Sequence, residues 1–120
     1  IEENIQKQSE IYQRRLHQEF FGYGPLESLL EESEITEILV NGPDSIWYER
    51  SGQLSRHDDI FLSDISFDNI IERLSIATGK HLSLNQPFLE GHIPQARISI
   101  VEKNITHKKT IVSIRKHPLN

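Results

Sequence analysis

The sequence predicts an α+β domain in which N-terminal helices precede an antiparallel sheet with a helix packed on one face. Three observations lead to this class: helical periodicity at the start of the chain, alternation with a period of two in its middle, and two further alternating segments near its end. The 120 residues are the size of one compact domain. Hydrophobic residues make up 36% of the chain and charged residues 26%, as in a folded domain with a solvated surface.

The first thirty residues predict two helices. An amphipathic helix is expected over residues 2–21, where apolar residues recur at helical spacing. These residues are Ile1, Ile5, Tyr12, Leu16 and Phe20. The helix should end at Gly22, because two glycines and a proline in residues 22–25 interrupt helices. Pro25 suits the first turn of a second, short helix over residues 25–31.

The middle of the chain predicts a strand, a hairpin and a helix. Residues 35–40 alternate and stop at turn residues 41–44, and residues 46–50 and 53–56 flank Gly52 as a hairpin. A helix is expected over residues 67–78, with Ser66 as its cap and Gly79 as its stop. Its inward face should consist of Phe67, Ile70, Ile71, Leu74 and Ala77.

The last third predicts a second hairpin. Residues 87–94 form a loop or a short edge strand, because a proline at each end excludes a central strand. Residues 96–101 and 110–115 alternate and predict two strands, joined by a polar loop over residues 102–109.

Charge is distributed unevenly along the chain. Residues 1–72 carry 5 Lys and Arg against 16 Asp and Glu, whereas residues 73–120 carry 8 against 2, within a net charge of −5. A basic C-terminal third suggests strands that face an anion, such as phosphate, nucleic acid or an acidic partner surface. Pairing between the acidic and basic parts of the domain explains the same composition.

Several kinds of chemistry are not supported by the sequence. Residues 78–81 contain Gly-Lys but follow a helix and lack the other residues of a Walker A loop, so the chain alone should not hydrolyse nucleotide. The six histidines show no paired spacing for a metal, and no cysteine is present to complete a zinc set. Ser55, His57 and Asp58 lie on one short segment, unlike the members of a catalytic triad. We therefore expect no catalytic residue, metal or cofactor in this chain alone.

Arg97 and Arg115 are the candidate site residues on chemical grounds. Each lies in a strand rich in β-branched residues within the basic third, and Lys116 and His117 follow Arg115. A guanidinium group offers a planar fork of donors that suits phosphate oxygens. Solvent-facing arginines of no special function would give the same pattern.

The order of the motifs resembles a known family. Residues 19–27 read Glu-Phe-Phe-Gly-Tyr-Gly-Pro-Leu-Glu, and residues 35–44 read Ile-Thr-Glu-Ile-Leu-Val-Asn-Gly-Pro-Asp. With residues 46–50 and Gly52, and with a later match that closes on residues 113–116, they resemble the opening of the type II/IV secretion traffic ATPases. The similarity covers about residues 18–117 and is greatest to the CpaF-like branch of Tad pili.

The resemblance implies an N-terminal domain that lies against a RecA-like motor domain in a hexameric ring, with nucleotide between the two domains. It implies residues 1–24 as an N-terminal helix and breaker, 25–118 as the α+β domain, and 119–120 as the start of a linker to the motor domain of a longer protein. Arg97 and Arg115 stand where the family has arginines toward the phosphates, and Lys116 and His92 are possible additional contacts. His92 replaces an arginine that is usual in the family, and His117 replaces an aromatic residue.

The cofactors implied are ATP and Mg²⁺ in the full-length parent protein. The partners implied are the motor domain, neighbouring subunits and the inner-membrane platform of the secretion machine, which places the protein in the cytoplasm at the face of that membrane. The alternative is a free-standing interaction or ligand-binding module without ATPase activity. Direct nucleic-acid binding is not expected, because the basic strands lack exposed aromatic residues for stacking.

Overall fold

The computed structural model describes residues 1–103 and 109–118. Most of the predicted loop 102–109 and the predicted linker 119–120 lie outside the described residues. The helices are α1 (Glu2–Phe21), α2 (Glu27–Glu31), which follows a 3-10 turn at Gly24–Leu26, and α3 (Asp64–Thr78). The strands are β1 (Ile35–Asn41), β2 (Ile46–Arg50), β3 (Gln53–Arg56), β4 (Phe88–Ile93), β5 (Ala96–Val101) and β6 (Ile111–Lys116).

All these strands form one antiparallel sheet in the order β3-β2-β1-β6-β5-β4. The first and last parts of the chain meet in its centre, where β1 pairs with β6 and Ile38 lies opposite Ile114. The predicted α+β class is confirmed, and β4 is the edge strand that the flanking prolines allowed.

The core lies between one face of the sheet and the helices. Alternate strand residues such as Ile38, Ile98 and Ile114 are fully buried on that face, and Ile70 and Leu74 of α3 are buried with them. The other residues of the central strands point to the opposite side and are exposed or half-buried. Within the described chain, this second side of the sheet is open to solvent. We call it the open face.

Helix α3 differs from the prediction in two respects. The N-cap of α3 is Ser63, whose hydroxyl accepts a hydrogen bond from Ser66 N at 3.0 Å. In return, the Ser66 hydroxyl accepts a hydrogen bond from Ser63 N at 3.2 Å. Ser66 is thus the third helical residue, and the predicted cap was wrong by three positions. Gly79 ends the helix in the left-handed conformation as predicted, but Ala77 is exposed and does not belong to the buried face.

The other differences are smaller. The predicted helix 25–31 begins as a 3-10 turn at Gly24–Leu26, and the α-helix proper starts at Glu27. The strand predicted over residues 35–40 extends to residue 41, and the strand predicted over residues 110–115 is shifted by one residue, to Ile111–Lys116.

The last turns of α1 are anchored to the rest of the domain, whereas residues 1–14 are exposed. Arg73 of α3 donates hydrogen bonds to the carbonyl oxygens of Glu19, Phe20 and Gly22. These acceptors are the carbonyl groups that a helix C-terminus leaves without intrahelical partners. None of the described helices is long and apolar enough to cross a membrane.

A buried carboxylate completes this anchor. Glu19 has no solvent-exposed surface and accepts hydrogen bonds from Arg15 Nη1 at 2.7 Å, from Leu62 N at 2.9 Å and from the Ser66 hydroxyl. A Cβ atom on Gly24 would lie 2.8 Å from Glu19 Oε1. Glycine is therefore required at that position, both for its positive φ and for the close carboxylate.

Candidate functional site

The sheet register places Arg97 and Arg115 side by side on the open face. Arg97 of β5 is the direct cross-strand partner of Arg115 of β6. Cross-strand partners have Cβ atoms about 4.5–5.5 Å apart and point to the same face. The same row continues to His92 on β4 and to Glu37 on β1. We call His92, Arg97, Arg115 and Glu37 the arginine row.

Each arginine has one carboxylate neighbour. Arg97 Nη2 lies 3.4 Å from Glu90 Oε2, and Arg115 Nη2 lies 3.4 Å from Glu37 Oε1. Both pairs are long, and the arginine side chains remain 53% and 76% exposed. Exposed pairs of this kind contribute about 0–1 kcal/mol, so the guanidinium groups are available to a ligand.

Two like charges directly opposite each other destabilise a sheet. Glu90 and Glu37 offset part of the repulsion between Arg97 and Arg115, and an anion between the two guanidinium groups would offset it further. The register therefore distinguishes these two residues from unrelated surface arginines.

A second histidine lies next to the row. The ring of His117 stacks on that of His92, with ring centroids 5.9 Å apart and an interplanar angle of 24°. His117 follows β6 and is held there by a hydrogen bond from its backbone N to Gln95 O at 2.9 Å. Sequence reasoning did not include His117 among the site residues. Its position two residues after Arg115, on the same side of an extended strand, is the signal that could have identified it.

Lys116 lies apart from the two arginines. Its ammonium group donates hydrogen bonds to the carbonyl oxygens of Leu29, at 3.2 Å, and of Glu32, at the C-terminal end of α2. Burial lowers the pKa of Lys116, and the nearby Glu32 carboxylate opposes that effect. The structure thus brings together His92, Arg97 and Arg115 but not Lys116.

Other basic residues of the C-terminal third form ion pairs with acidic residues earlier in the chain. This agrees with the second interpretation of the uneven charge distribution. Lys109 lies 3.3 Å from Asp44, and Lys103 lies 3.9 Å from Asp68. Glu32, which follows α2 in an acidic segment with Glu31 and Glu34, forms an ion pair with Arg50. The hydrogen bond to Glu32 raises the pKa of Arg50.

The segments compared above with a Walker A loop and with a catalytic triad make structural contacts. Lys80 donates to the backbone oxygen of Glu90. His57 Nε2 lies 3.0 Å from the Pro25 oxygen and its Nδ1 lies 3.5 Å from Asp58 Oδ1, so the ring connects the 3-10 turn before α2 with the loop after β3. Among residues 1–103 and 109–118, no group of three His, Cys, Asp or Glu side chains could hold a metal ion.

Comparison with known proteins gives two relationships. No protein-family model matches the chain. Two proteins of Mycobacterium tuberculosis, from strains CDC 1551 and H37Rv and named for conjugal transfer, are 34% identical to it over 80 residues, which is 67% of this chain and 23% of each relative. The crystal structure of the VirB11 ATPase from the Brucella suis type IV secretion system, in complex with sulphate, matches with a TM-score of 0.63 and 26% identity. That match covers 92% of this chain and 33% of the VirB11 chain.

Both relationships fit a domain of a secretion-system ATPase that is part of a larger protein. The chain spans about a quarter of the length of its sequence relatives and a third of the VirB11 chain. The resemblance to secretion ATPases is thus confirmed at the level of type IV secretion. The CpaF-like, Tad-pilus branch stays a prediction.

Proposed function

We propose that this chain is the N-terminal regulatory and assembly domain of a hexameric ATPase that powers protein secretion or the assembly of a type IV or Tad pilus. In this proposal Arg97 and Arg115 reach a nucleotide bound between this domain and a motor domain that follows it. The nucleotide is ATP with Mg²⁺. The partners are the motor domain, neighbouring subunits and inner-membrane platform proteins, and the protein works at the cytoplasmic face of that membrane.

The observation that carries the proposal is the direct cross-strand pairing of Arg97 with Arg115 on the open face. The register fixes the backbone positions of the two arginines on adjacent strands, so both guanidinium groups can reach the same ligand. A polyphosphate chain carries several negative oxygens over a length similar to the distance between two neighbouring strands. Arginines that contact such oxygens stabilise the charge that develops during phosphoryl transfer.

The open face also explains why the chain would need a second domain. The arginine row is exposed on this face, so water and salt screen the charges of Arg97 and Arg115. A domain that covers the face would exclude water and strengthen each contact with phosphate. Closure of the two domains would then depend on whether nucleotide is present, which is how a ring of such subunits couples hydrolysis to movement.

The test is ATP hydrolysis by the full-length parent protein. Arg97→Ala and Arg115→Ala should each lower kcat by at least about a hundredfold, as loss of a phosphate-stabilising arginine does. The matched control is Arg56→Ala, which removes an arginine from β3 at the far side of the same sheet face. Each variant must first be shown to fold and to assemble as the wild type does.

Turnover within twofold of the wild type in both Arg97→Ala and Arg115→Ala would refute the shared-site role. The domain would then act as an assembly or docking module. An equal loss in Arg56→Ala would show that any arginine of the sheet matters, and the row would have no special place.

A further inference from the structure

One corner of the open face carries two histidines beside the two arginines. The corner lies where β4 ends, β5 begins and β6 ends, and its members are His92, Arg97, Arg115 and His117. We call this set the histidine corner. All of its side chains are exposed, so a ligand can reach each of them.

Backbone contacts fix the relative positions of its members. His92 pairs with Arg97 across β4 and β5, and Arg97 pairs with Arg115 across β5 and β6. The hydrogen bond from His117 N to Gln95 O extends the β5–β6 ladder by one step, which sets the His117 ring against that of His92. Two imidazole rings and two guanidinium groups thus occupy adjacent positions of three paired strands.

Two arginines and two carboxylates surround the imidazole rings of the corner. The charged groups that face it from the surrounding elements are Glu90 on β4, Arg97 on β5, Arg115 on β6 and Glu37 on β1. Both carboxylates lie 3.4 Å from an arginine. Among the described residues, no carboxylate forms an ion pair with either imidazole of the corner.

This arrangement makes the histidines sensitive to an anion. Histidine is the side chain that ordinarily gains or loses its charge between pH 5 and 8. A bound polyphosphate favours the charged form of a neighbouring imidazole, because its oxygens accept a hydrogen bond from the charged ring.

We propose that the histidine corner binds the phosphates of a polyphosphate ligand together with a proton, which is carried by the ring of His92 or of His117. Binding of the anion and binding of the proton favour each other equally, since coupling between two ligands is reciprocal. Affinity for polyphosphate therefore falls as the pH rises through the titration range of histidine. The proposal deepens the proposed function, on which it rests, because the polyphosphate in the parent protein is the nucleotide.

The experiment measures binding of inorganic tripolyphosphate to the 120-residue chain by isothermal titration calorimetry at pH 6 and pH 8, at one ionic strength. If one proton is coupled, the dissociation constant should rise by about tenfold between the two pH values. Repeating the titration near pH 7 in two buffers with different ionisation enthalpies counts the protons taken up. The expected uptake is a substantial fraction of one proton per ligand.

Two double variants separate charge from ring stacking. His92→Phe with His117→Phe keeps two flat rings but removes the proton sites, so its affinity at pH 6 should fall to the wild-type value at pH 8. His92→Arg with His117→Arg keeps positive charge at every pH, so its affinity at pH 8 should reach or exceed that of the wild type at pH 6. Tripolyphosphate itself titrates in this range, and comparison of wild type with variant at the same pH removes that contribution.

Three results would overturn the proposal: wild-type affinity in the phenylalanine variant at both pH values, no proton uptake, or no binding by the wild type at pH 6. These failures are distinct from failure of the proposed function. Loss of ATP turnover in the Arg97→Ala parent would still support the shared nucleotide site. Conversely, proton-linked binding to the chain with unchanged turnover would keep the histidine corner and reject the shared-site role.

Discussion

Replacement of Glu19 by alanine should destabilise the domain strongly, because this carboxylate is buried and connects three parts of the chain. It accepts hydrogen bonds from Arg15 on its own helix, from Leu62 N in the loop before α3 and from Ser66 within α3. Loss of one partner of a buried charged pair costs about 3–5 kcal/mol. Arg15 is 20% exposed and retains Asp59 at 2.7 Å, so the expected loss is at the lower end, about 3 kcal/mol.

The assay is thermal or urea unfolding of the 120-residue chain followed by circular dichroism at pH 7. For a domain of this size a loss of about 3 kcal/mol lowers Tm by roughly 10–15 °C. Glu19→Gln should fall between wild type and Glu19→Ala, because an amide oxygen still accepts from Leu62 N but does not neutralise Arg15. Glu10→Ala is the matched control, since Glu10 is exposed on the same helix. A change below about 0.5 kcal/mol in Glu19→Ala, the size of an ordinary surface effect, would refute the reasoning.

The remaining predictions concern the helix cap, a glycine, a lysine and the first helix. Ser63→Ala should cost about 1 kcal/mol in urea unfolding through loss of the N-cap of α3, and an unchanged midpoint would contradict that role. Gly24→Ala should lower the free energy of unfolding by about 2 kcal/mol or more in the same assay, because φ is +57° at this residue and the new Cβ would contact Glu19. An unchanged free energy of unfolding would mean that the turn can rearrange. Burial lowers the pKa of Lys116 below its ordinary 10.5, so the unfolded chain keeps the Lys116 proton to a higher pH than the folded chain does. The stability of the wild type should therefore rise relative to that of Lys116→Met as the pH approaches 10.5. Parallel curves of unfolding free energy against pH for the two proteins would contradict this. Trypsin should cut first after Lys7 and Arg14 and leave a folded remainder, whereas early cleavage after Arg73 would show that the anchor of α1 is weak.

The sheet was largely predictable from the sequence, because alternation identifies each strand without knowledge of its neighbours. The two hairpins and the α+β class followed from alternation and Gly52, whereas the prolines left residues 87–94 open between a loop and the edge strand β4 that the structure has. What alternation could not supply was the pairing of β1 with β6, which joins the hairpins across most of the chain. Pairing between segments so far apart depends on packing of the whole core, and no local pattern encodes it.

The helix ends and the site were only partly predictable, for reasons of geometry. Ser63 and Ser66 are both suitable N-caps. Which of them caps α3 depends on Glu19, whose carboxylate accepts a hydrogen bond from the Ser66 hydroxyl. Arg97 and Arg115 were found by composition and resemblance, but a slip of one residue in register would have placed one of them in the core. The separation of Lys116 from Arg115 follows from the alternation of β6 and could have been predicted.

The anchoring of α1 at its last turns determines how movement passes along it. Because Arg73 and Glu19 hold only the C-terminal end, residues 1–14 project from the domain as about 20 Å of exposed helix. For a straight helix of this length, a rotation of the domain by about 10° would shift the tip by about 4 Å. A small rotation of the sheet would therefore become a displacement as large as a side chain at the N-terminal end of α1.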